Sequence, residues 1–141
     1  GRRTYVTHAD AFEPMPPGDV FGDLMNAPKK YVVSRTLKEP TWRNTTIIRE
    51  NVIDAVRALK TEQGGSIITD GSSHLVQALL ANDLVDDLHL TVYPLSLGVG
   101  KRVFPDGVDV RLRLASATPY PTGVVGLHYM RESNRAASSV A

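Results

Sequence analysis

Residues 66–80, SIITDGSSHLVQALL, constrain the fold more than any other stretch of the chain. The β-branched run Ser66-Ile67-Ile68-Thr69 meets Asp70-Gly71-Ser72-Ser73, and then Leu75, Val76, Leu79 and Leu80 recur at helical spacing. That pattern reads as strand, turn and helix. Such a turn leaves the first helical N–H groups without partners. Together with the positive end of the helix dipole and two hydroxyls, they form a potential anion site, phosphate above all. Gly71 lacks a Cβ, which lets the backbone approach a ligand closely. The plainer alternative is that Ser72 or Ser73 only caps the helix.

The remaining 126 residues have to carry one core and a purpose for that turn. At 141 residues and 42% hydrophobic content the chain is long enough for one compact domain. Sixteen basic residues against fifteen acidic ones leave a net charge of +1. No overall field therefore favours nucleic acid or an acidic membrane. Cysteine is absent, which removes disulfides, thiolate catalysis and cysteine-based zinc sites, and fits a cytoplasmic protein. No apolar run reaches membrane-spanning length.

The first residues read as a turn entering a short helix, and Pro14, Pro16, Pro17 and Gly18 force an irregular loop. Asp19 suits the N-cap of a helix through Phe21, Leu24 and Met25. Tyr31–Ser34 and Thr45–Ile48 read as strands. Asn51 is placed to cap a helix carrying Val52, Val56 and Leu59, with Gly64-Gly65 ending it. Leu88, Leu90 and Val92 alternate with polar residues, 94–106 is a long loop, and 110–115 alternates as an antiparallel strand should. Pro119 to Gly123 supplies a turn, and Val124 to Met130 returns. Helices and strands alternating to about Val92, followed by strands alone, predict an α/β fold with a parallel early part and an antiparallel C-terminal hairpin.

Three segments, Gly1-Arg2-Arg3-Thr4, Ser34-Arg35-Thr36 and Asp70-Gly71-Ser72-Ser73, fall where a strand ends or a helix begins. Ligands of open α/β sheets collect at the carboxyl ends of strands, so three such loops suit a ligand with several phosphates. With GRRTY (1–5), KYVVSRTL (30–37), WRNTT (42–46), GGSIITDGSSHLVQALL (64–80), LVDDLHLTVYPLSLGVGKRVF (84–104) and TGVVGLHYM (122–130) in this order, the chain resembles a known family. It is similar to the dihydrofolate-reductase-like reductases typified by the C-terminal domain of the bifunctional riboflavin-biosynthesis deaminase/reductase.

The resemblance implies a three-layer α/β domain over residues 1–130 with a mostly parallel central sheet, and a flexible tail over 131–141. It implies an NADPH-dependent reductase, a homodimer, acting on a small heterocycle such as the pyrimidine intermediate of riboflavin biosynthesis. A reductase of dihydrofolate or pteridines, and a non-catalytic nucleotide-binding or dimerisation module, are the alternatives. Carried over residue by residue, Gly1, Arg2, Arg3 and Thr4 match the first cofactor-phosphate loop. Ser34, Arg35 and Thr36 match the loop at the adenosine 2′-phosphate, where a guanidinium suits a cluster of anionic oxygens. Gly71, Ser72, Ser73 and Leu75 match the pyrophosphate loop and its helix. Asp70 matches an acidic position on the substrate side and is the catalytic candidate. Family members carry an opening strand and loop ahead of GRRTY. The expectation is therefore a longer gene product, with residues 1–141 alone binding weakly and turning over negligibly.

Other residues invite functional readings. His74, His89 and His128 have no metal spacing, and surface or partner-satisfied histidine is the expectation for them. His8 follows the first loop, and the expectation is that it has no role at the cofactor. Asp86 and Asp87 point to opposite faces if they lie on a strand, so a solvated turn is expected rather than a dyad. Trp42 either stacks on a base or covers the rim of the core.

Overall fold

The computed structural model describes residues 1–132. They divide into two compact units, one from Gly1 to Val76 and one from Gln77 onward. In chain order the elements are α1 (Arg2–Phe12), α2 (Val20–Asn26), β1 (Lys30–Val33), β2 (Thr45–Ile48), α3 (Val52–Thr61), α4 (Ser73–Ala81), β3 (Asp87–Val92), β4 (Leu112–Pro119) and β5 (Val125–Arg131). The α/β class predicted from the alternation of elements is the one observed.

In the first unit β1 and β2 pair in parallel, Lys30 opposite Thr45 and Val33 opposite Ile48. Its core forms where α1 meets them. Tyr5 and Ala9, one helical turn apart on α1, pack with Val32 of β1 and with Trp42, while Phe12, Met25, Leu37 and Ile47 close the edges. Trp42 is only 5% exposed, which decides its role: it is a core residue, not a base-stacking platform. Its indole N–H donates to Asn26 Oδ1 at 2.6 Å, and its backbone N–H donates to the Tyr5 hydroxyl at 2.8 Å. Asn26 in turn donates to the Phe12 carbonyl at 2.8 Å. A buried amide and a buried indole are thus both satisfied. Lys30 stretches its ammonium 4.6 Å from the Trp42 ring centroid and donates to the carbonyls of Met25, Asn26 and Pro28 at the end of α2. A cation belongs at that negative helix end, although burial holds the Lys30 pKa below its ordinary value.

The α2 start follows the sequence reading. Asp19 accepts from the Gly22 N–H at 2.7 Å. Gly22 itself is required by packing, since a Cβ there would lie 2.7 Å from that of Met15. The α3 start does not follow it. Asn51 occupies the N-cap position with φ 49° and makes no side-chain cap bond. It has taken the left-handed conformation that asparagine tolerates, in place of the extended one a capping side chain needs. The helix also stops at Thr61, ahead of Gly64-Gly65.

Glu13 ties the end of α1 to the segment before β2. Its carboxylate accepts from the Arg43 backbone N–H at 3.0 Å and from Arg43 Nε at 3.1 Å. The backbone bond first, then the side-chain bond and the charge of Arg43, hold its pKa below the ordinary 4.5. A carboxyl depressed in the folded state stabilises the fold above its unfolded pKa, and that stabilisation disappears as pH falls through the lower folded value. Urea unfolding between pH 6 and pH 3 should therefore show a steeper acid loss in the wild type than in Glu13→Gln. Parallel curves for the two proteins would remove Glu13 from the acid response.

The second unit is a three-stranded antiparallel sheet in the order β3-β5-β4. Leu88 faces Tyr129, and Val92 faces Val125. β4 runs past the predicted end at Ala115 to Pro119, because a bulge between Leu114 and Ser116 absorbs one residue and lets pairing resume. The return strand closes through a turn in which Tyr120 N–H bonds the Val124 carbonyl at 2.8 Å. Residues 131 and 132 are not tail: Arg131 ends β5, and the Glu132 N–H bonds the Arg111 carbonyl at 3.2 Å. The rest of the expected tail, 133–141, lies outside the described residues. The loop predicted over 94–106 extends between β3 and β4. It is held by the Gln77 side chain, which donates to the carbonyls of Arg102 and Phe104.

The strand predicted over Ser66–Thr69 is not realised. This segment joins no ladder among the described residues, and Ile68 is 85% exposed. β-Branched residues favour extended backbone, but a strand exists only where a neighbour completes its hydrogen bonds.

Candidate functional site

The turn at Asp70–Ser72 runs along one edge of α1, meeting it at three places spaced as helical turns are. Ser72 Oγ accepts from the Gly1 nitrogen at 2.7 Å and donates to Thr4 Oγ1 at 3.1 Å. A Cβ built on Gly71 would lie 3.4 Å from Thr4 Cγ2 and Oγ1. His8 Nε2 lies 3.4 Å from Asp70 Oδ2. Residues 1, 4 and 8 share one stripe of a helix, so a single turn reaches all of them.

Two helix N-termini therefore meet. Gly1 is the N-cap of α1, its carbonyl accepting from the Tyr5 N–H at 3.0 Å. The Ser72 carbonyl accepts from the N–H groups of Leu75 and Val76 at 2.8 and 3.1 Å, which starts α4. Ser73 and Leu75 are half-buried in the first turn of α4. The first turns of α2 and α3 carry Asp23 and Asp54, as a positive dipole end favours. Those of α1 and α4 carry no acid, and α1 instead has Arg2 and Arg3 there, both exposed. Cations at a helix N-terminus are unfavourable by about 0.3–1 kcal/mol each. What this arrangement can do is receive an anion, which removes that cost and meets N–H donors.

The backbone of the turn is strained in the same place. Gly71 has φ +63° and Ser72 has φ 55°. The other non-glycine residues with positive φ among those described are Asn44, Asn51 and Asp83, the types that tolerate it. Ser72 lacks that tolerance, and left-handed backbone at such a residue costs about 1–2 kcal/mol. Strain of this kind concentrates at ligand-binding turns.

Ser34, Arg35 and Thr36 follow β1, just past the carboxyl end of the parallel pair. Ser34 is buried, and its hydroxyl accepts from the N–H groups of Thr36 and Leu37 at 3.2 and 3.0 Å. That bends the segment into a tight turn with Arg35 exposed and engaged by no hydrogen bond or ion pair among the described residues. Arg49, which the sequence reading overlooked, holds the segment after it by donating to the Leu37 and Lys38 carbonyls at 2.8 and 2.9 Å. No hydrogen bond joins this turn to that at Asp70–Ser72. The structure thus brings Gly1, Thr4, Asp70, Gly71 and Ser72 together and leaves Ser34–Thr36 as a separate turn, with Ser34 buried and Arg35 and Thr36 exposed.

His8 is a further residue that the sequence reading set aside. Its signal was the i+4 spacing from Thr4. Asp87 departs from the expected solvated turn: it lies in β3, and its carboxylate meets His128 Nε2 at 2.7 Å. His128 stacks on His89 with centroids 4.3 Å apart; His128 is satisfied by Asp87 and His89 is exposed, both within the expectation for them. An open concavity of about 420 Å³ lies in the second unit, lined by Leu90, Phe104, Leu112 and Tyr129 among others, and no candidate site residue borders it.

The profile of the RibD C-terminal domain matches residues 2–126. Two uncharacterized Bacillus subtilis proteins are similar: YyaP, 32% identical over 107 residues, which are 75% of this chain and 56% of that protein, and YwjB, 32% identical over 89 residues, 62% and 51%. The chain spans about half the length of these curated relatives. A crystal structure from Shewanella sp. PV-4, of a protein provisionally named for riboflavin biosynthesis, superposes with a TM-score of 0.70 at 18% identity. The match covers 92% of this chain and 71% of that one, and it shows a shared fold.

Proposed function

Because the chain belongs to the RibD C-terminal domain family, we propose that it binds NADPH and reduces a C=N or C=O bond of a small heterocycle. A pyrimidine of the riboflavin pathway is the first candidate substrate. The observation that carries this reading is the meeting of two acid-free helix N-termini at the Ser72–Thr4 bond. A dinucleotide pyrophosphate fits that place, since it brings negative charge to N–H donors and to the exposed Arg2 and Arg3. Gly1, Thr4, Gly71, Ser72 and Ser73 would hold it, with Leu75 seating the helix behind the turn. Arg35 would take the 2′-phosphate. When bound, NADPH supplies the hydride; the chain's own residues orient the cofactor and substrate and manage the proton. Asp70, the first residue of that turn, would face the substrate, as the resemblance implies.

The test is cofactor binding by fluorescence titration with NADPH and NADH, followed by turnover against pyrimidine, pteridine and dihydrofolate substrates. NADPH is expected to bind more tightly. Replacing Arg35 with Ala should weaken NADPH by about 1.5–3 kcal/mol, the worth of a hydrogen bond to a charged group, and leave NADH nearly unchanged. Equal losses for both would remove Arg35 from the 2′-phosphate role. Tight NADPH binding without turnover on any substrate would favour the non-catalytic module.

The same reading includes a homodimer. β3 and β4 are the outer strands of the second unit's sheet, and Val92, Leu114 and Met130 stay partly exposed. Outer strands of that kind are usually paired or covered, and a two-fold contact between copies would do so. Sedimentation at micromolar concentration should show a dimer; a monomer alone would refute it.

A further inference from the structure

We propose that His8 donates the proton that completes the reduction, and that Asp70 is its positioning residue. The proposal rests on the reductase reading. His8 sits one turn beyond Thr4 on the stripe of α1 that the turn at Asp70–Ser72 follows. Its side chain is 25% exposed, so it is accessible, whereas that of Asp70 is 78% exposed. The ring is fixed on its other sides by edge contacts with Phe12 and Trp42, at centroid distances of 5.7 and 6.4 Å. Among the described residues, Asp70 is the one charged group at ion-pair distance from it. Nε2 faces Asp70 at 3.4 Å, an ion-pair contact longer than a good hydrogen bond, and among the described residues no group engages Nδ1.

An imidazole with one nitrogen facing a carboxylate at 3.4 Å and the other turned away from it is a geometry an oriented general acid or base can use. When a hydride from the reduced nicotinamide forms the new C–H bond, the π electrons of C=N or C=O move onto nitrogen or oxygen. A proton from Nδ1 of the imidazolium, the form the step requires, then completes the N–H or O–H bond; the neutral ring keeps Nε2–H toward Asp70 and regains its Nδ1 proton from solvent. Asp70 does not touch the reacting atoms in this scheme; it selects the nitrogen that stays open.

The test uses the protein, its His8→Gln and Asp70→Asn variants, and whichever pyrimidine, pteridine or dihydrofolate probe the wild type reduces. His8→Gln should lower kcat by about a hundredfold or more, the usual worth of a general acid, and remove one ionisation from the pH profile of kcat. It should leave NADPH affinity, read by fluorescence, within about threefold of wild type, because His8 lies outside the phosphate turn. Histidine ¹⁵N spectra without any ligand should show one dominant His8 tautomer in the wild type and a mixture in Asp70→Asn. A His8→Gln variant with near wild-type kcat and an unchanged pH profile overturns the proposal. Loss of NADPH affinity by more than about tenfold also overturns it, by placing His8 in the cofactor cradle. Identical tautomers in wild type and Asp70→Asn overturn the role of Asp70. A wild type that binds no NADPH, or reduces no probe, fails the reductase reading itself, and this proposal with it.

Discussion

Trp42→Ala should destabilise the first unit by about 3–5 kcal/mol, the range for emptying a large aromatic site in a core. The indole is the hub on which that core is built. It stacks on Phe12 at 6.1 Å, meets Tyr5 at 6.1 Å and lies under the Lys30 ammonium. Its loss also strands Asn26 Oδ1, which accepts the indole N–H, and an unsatisfied buried acceptor adds its own desolvation cost of about 1–3 kcal/mol within that total. Trp42→Phe separates the two contributions. It keeps most of the packing and removes only the donor, so its loss should fall near the smaller figure. Urea unfolding followed by circular dichroism reads both. A Trp42→Ala protein within about 1 kcal/mol of wild type would show that the Tyr5–Trp42–Asn26 hub is not what holds the unit.

Gly71→Val should weaken NADPH binding by at least about a hundredfold, close to 2.8 kcal/mol at 1.4 per decade, while the fold survives. Two effects act together. At φ +63° a β-branched residue is a steric outlier, so the turn must shift to accept it. The β-carbon itself meets Thr4 in ordinary contact at 3.4 Å, but the branched methyls beyond it take up space that close approach of a ligand to the backbone needs. Gly71→Ala is the graded control, with the same sign and a smaller loss. Fluorescence titration measures affinity, and circular dichroism with a thermal melt checks that the variant is folded. Wild-type affinity in a folded Gly71→Val protein would reduce the turn to a connection between elements and would take the pyrophosphate assignment with it.

Local features of the chain were legible because each is decided by a few neighbouring residues. The helical spacing after Ser72, the Asp19 cap, the parallel pair at Tyr31 and Thr45 and the terminal hairpin all follow from period, side-chain chemistry and turn residues. So did the candidate turn itself, since Gly71 and Ser72 announce it by type and position. The failures share one cause. Ser66–Thr69 has strand composition but joins no ladder, because pairing belongs to two segments and composition to one. Asn51 could cap in an extended conformation or turn left-handed, and only the geometry of entry into α3 chose between them. The bulge at Leu114/Ser116 and the burial of Trp42 are likewise set by partners distant in the chain.

The residues of the turn proposed to receive an anion were therefore contained in the sequence, down to Gly71, Ser72 and the paired arginines of α1. Their convergence was not. Ser72 and Gly1 are 71 positions apart, and His8 and Asp70 are 62 apart, and no local rule joins such pairs. Only packing of α1 against the turn brings positions 1, 4 and 8 onto one line with residues 70–72. Propensity and periodicity act over a few residues, whereas a site is a coincidence of surfaces created when burial of Tyr5, Ala9, Val32 and Trp42 fixes where α1 lies.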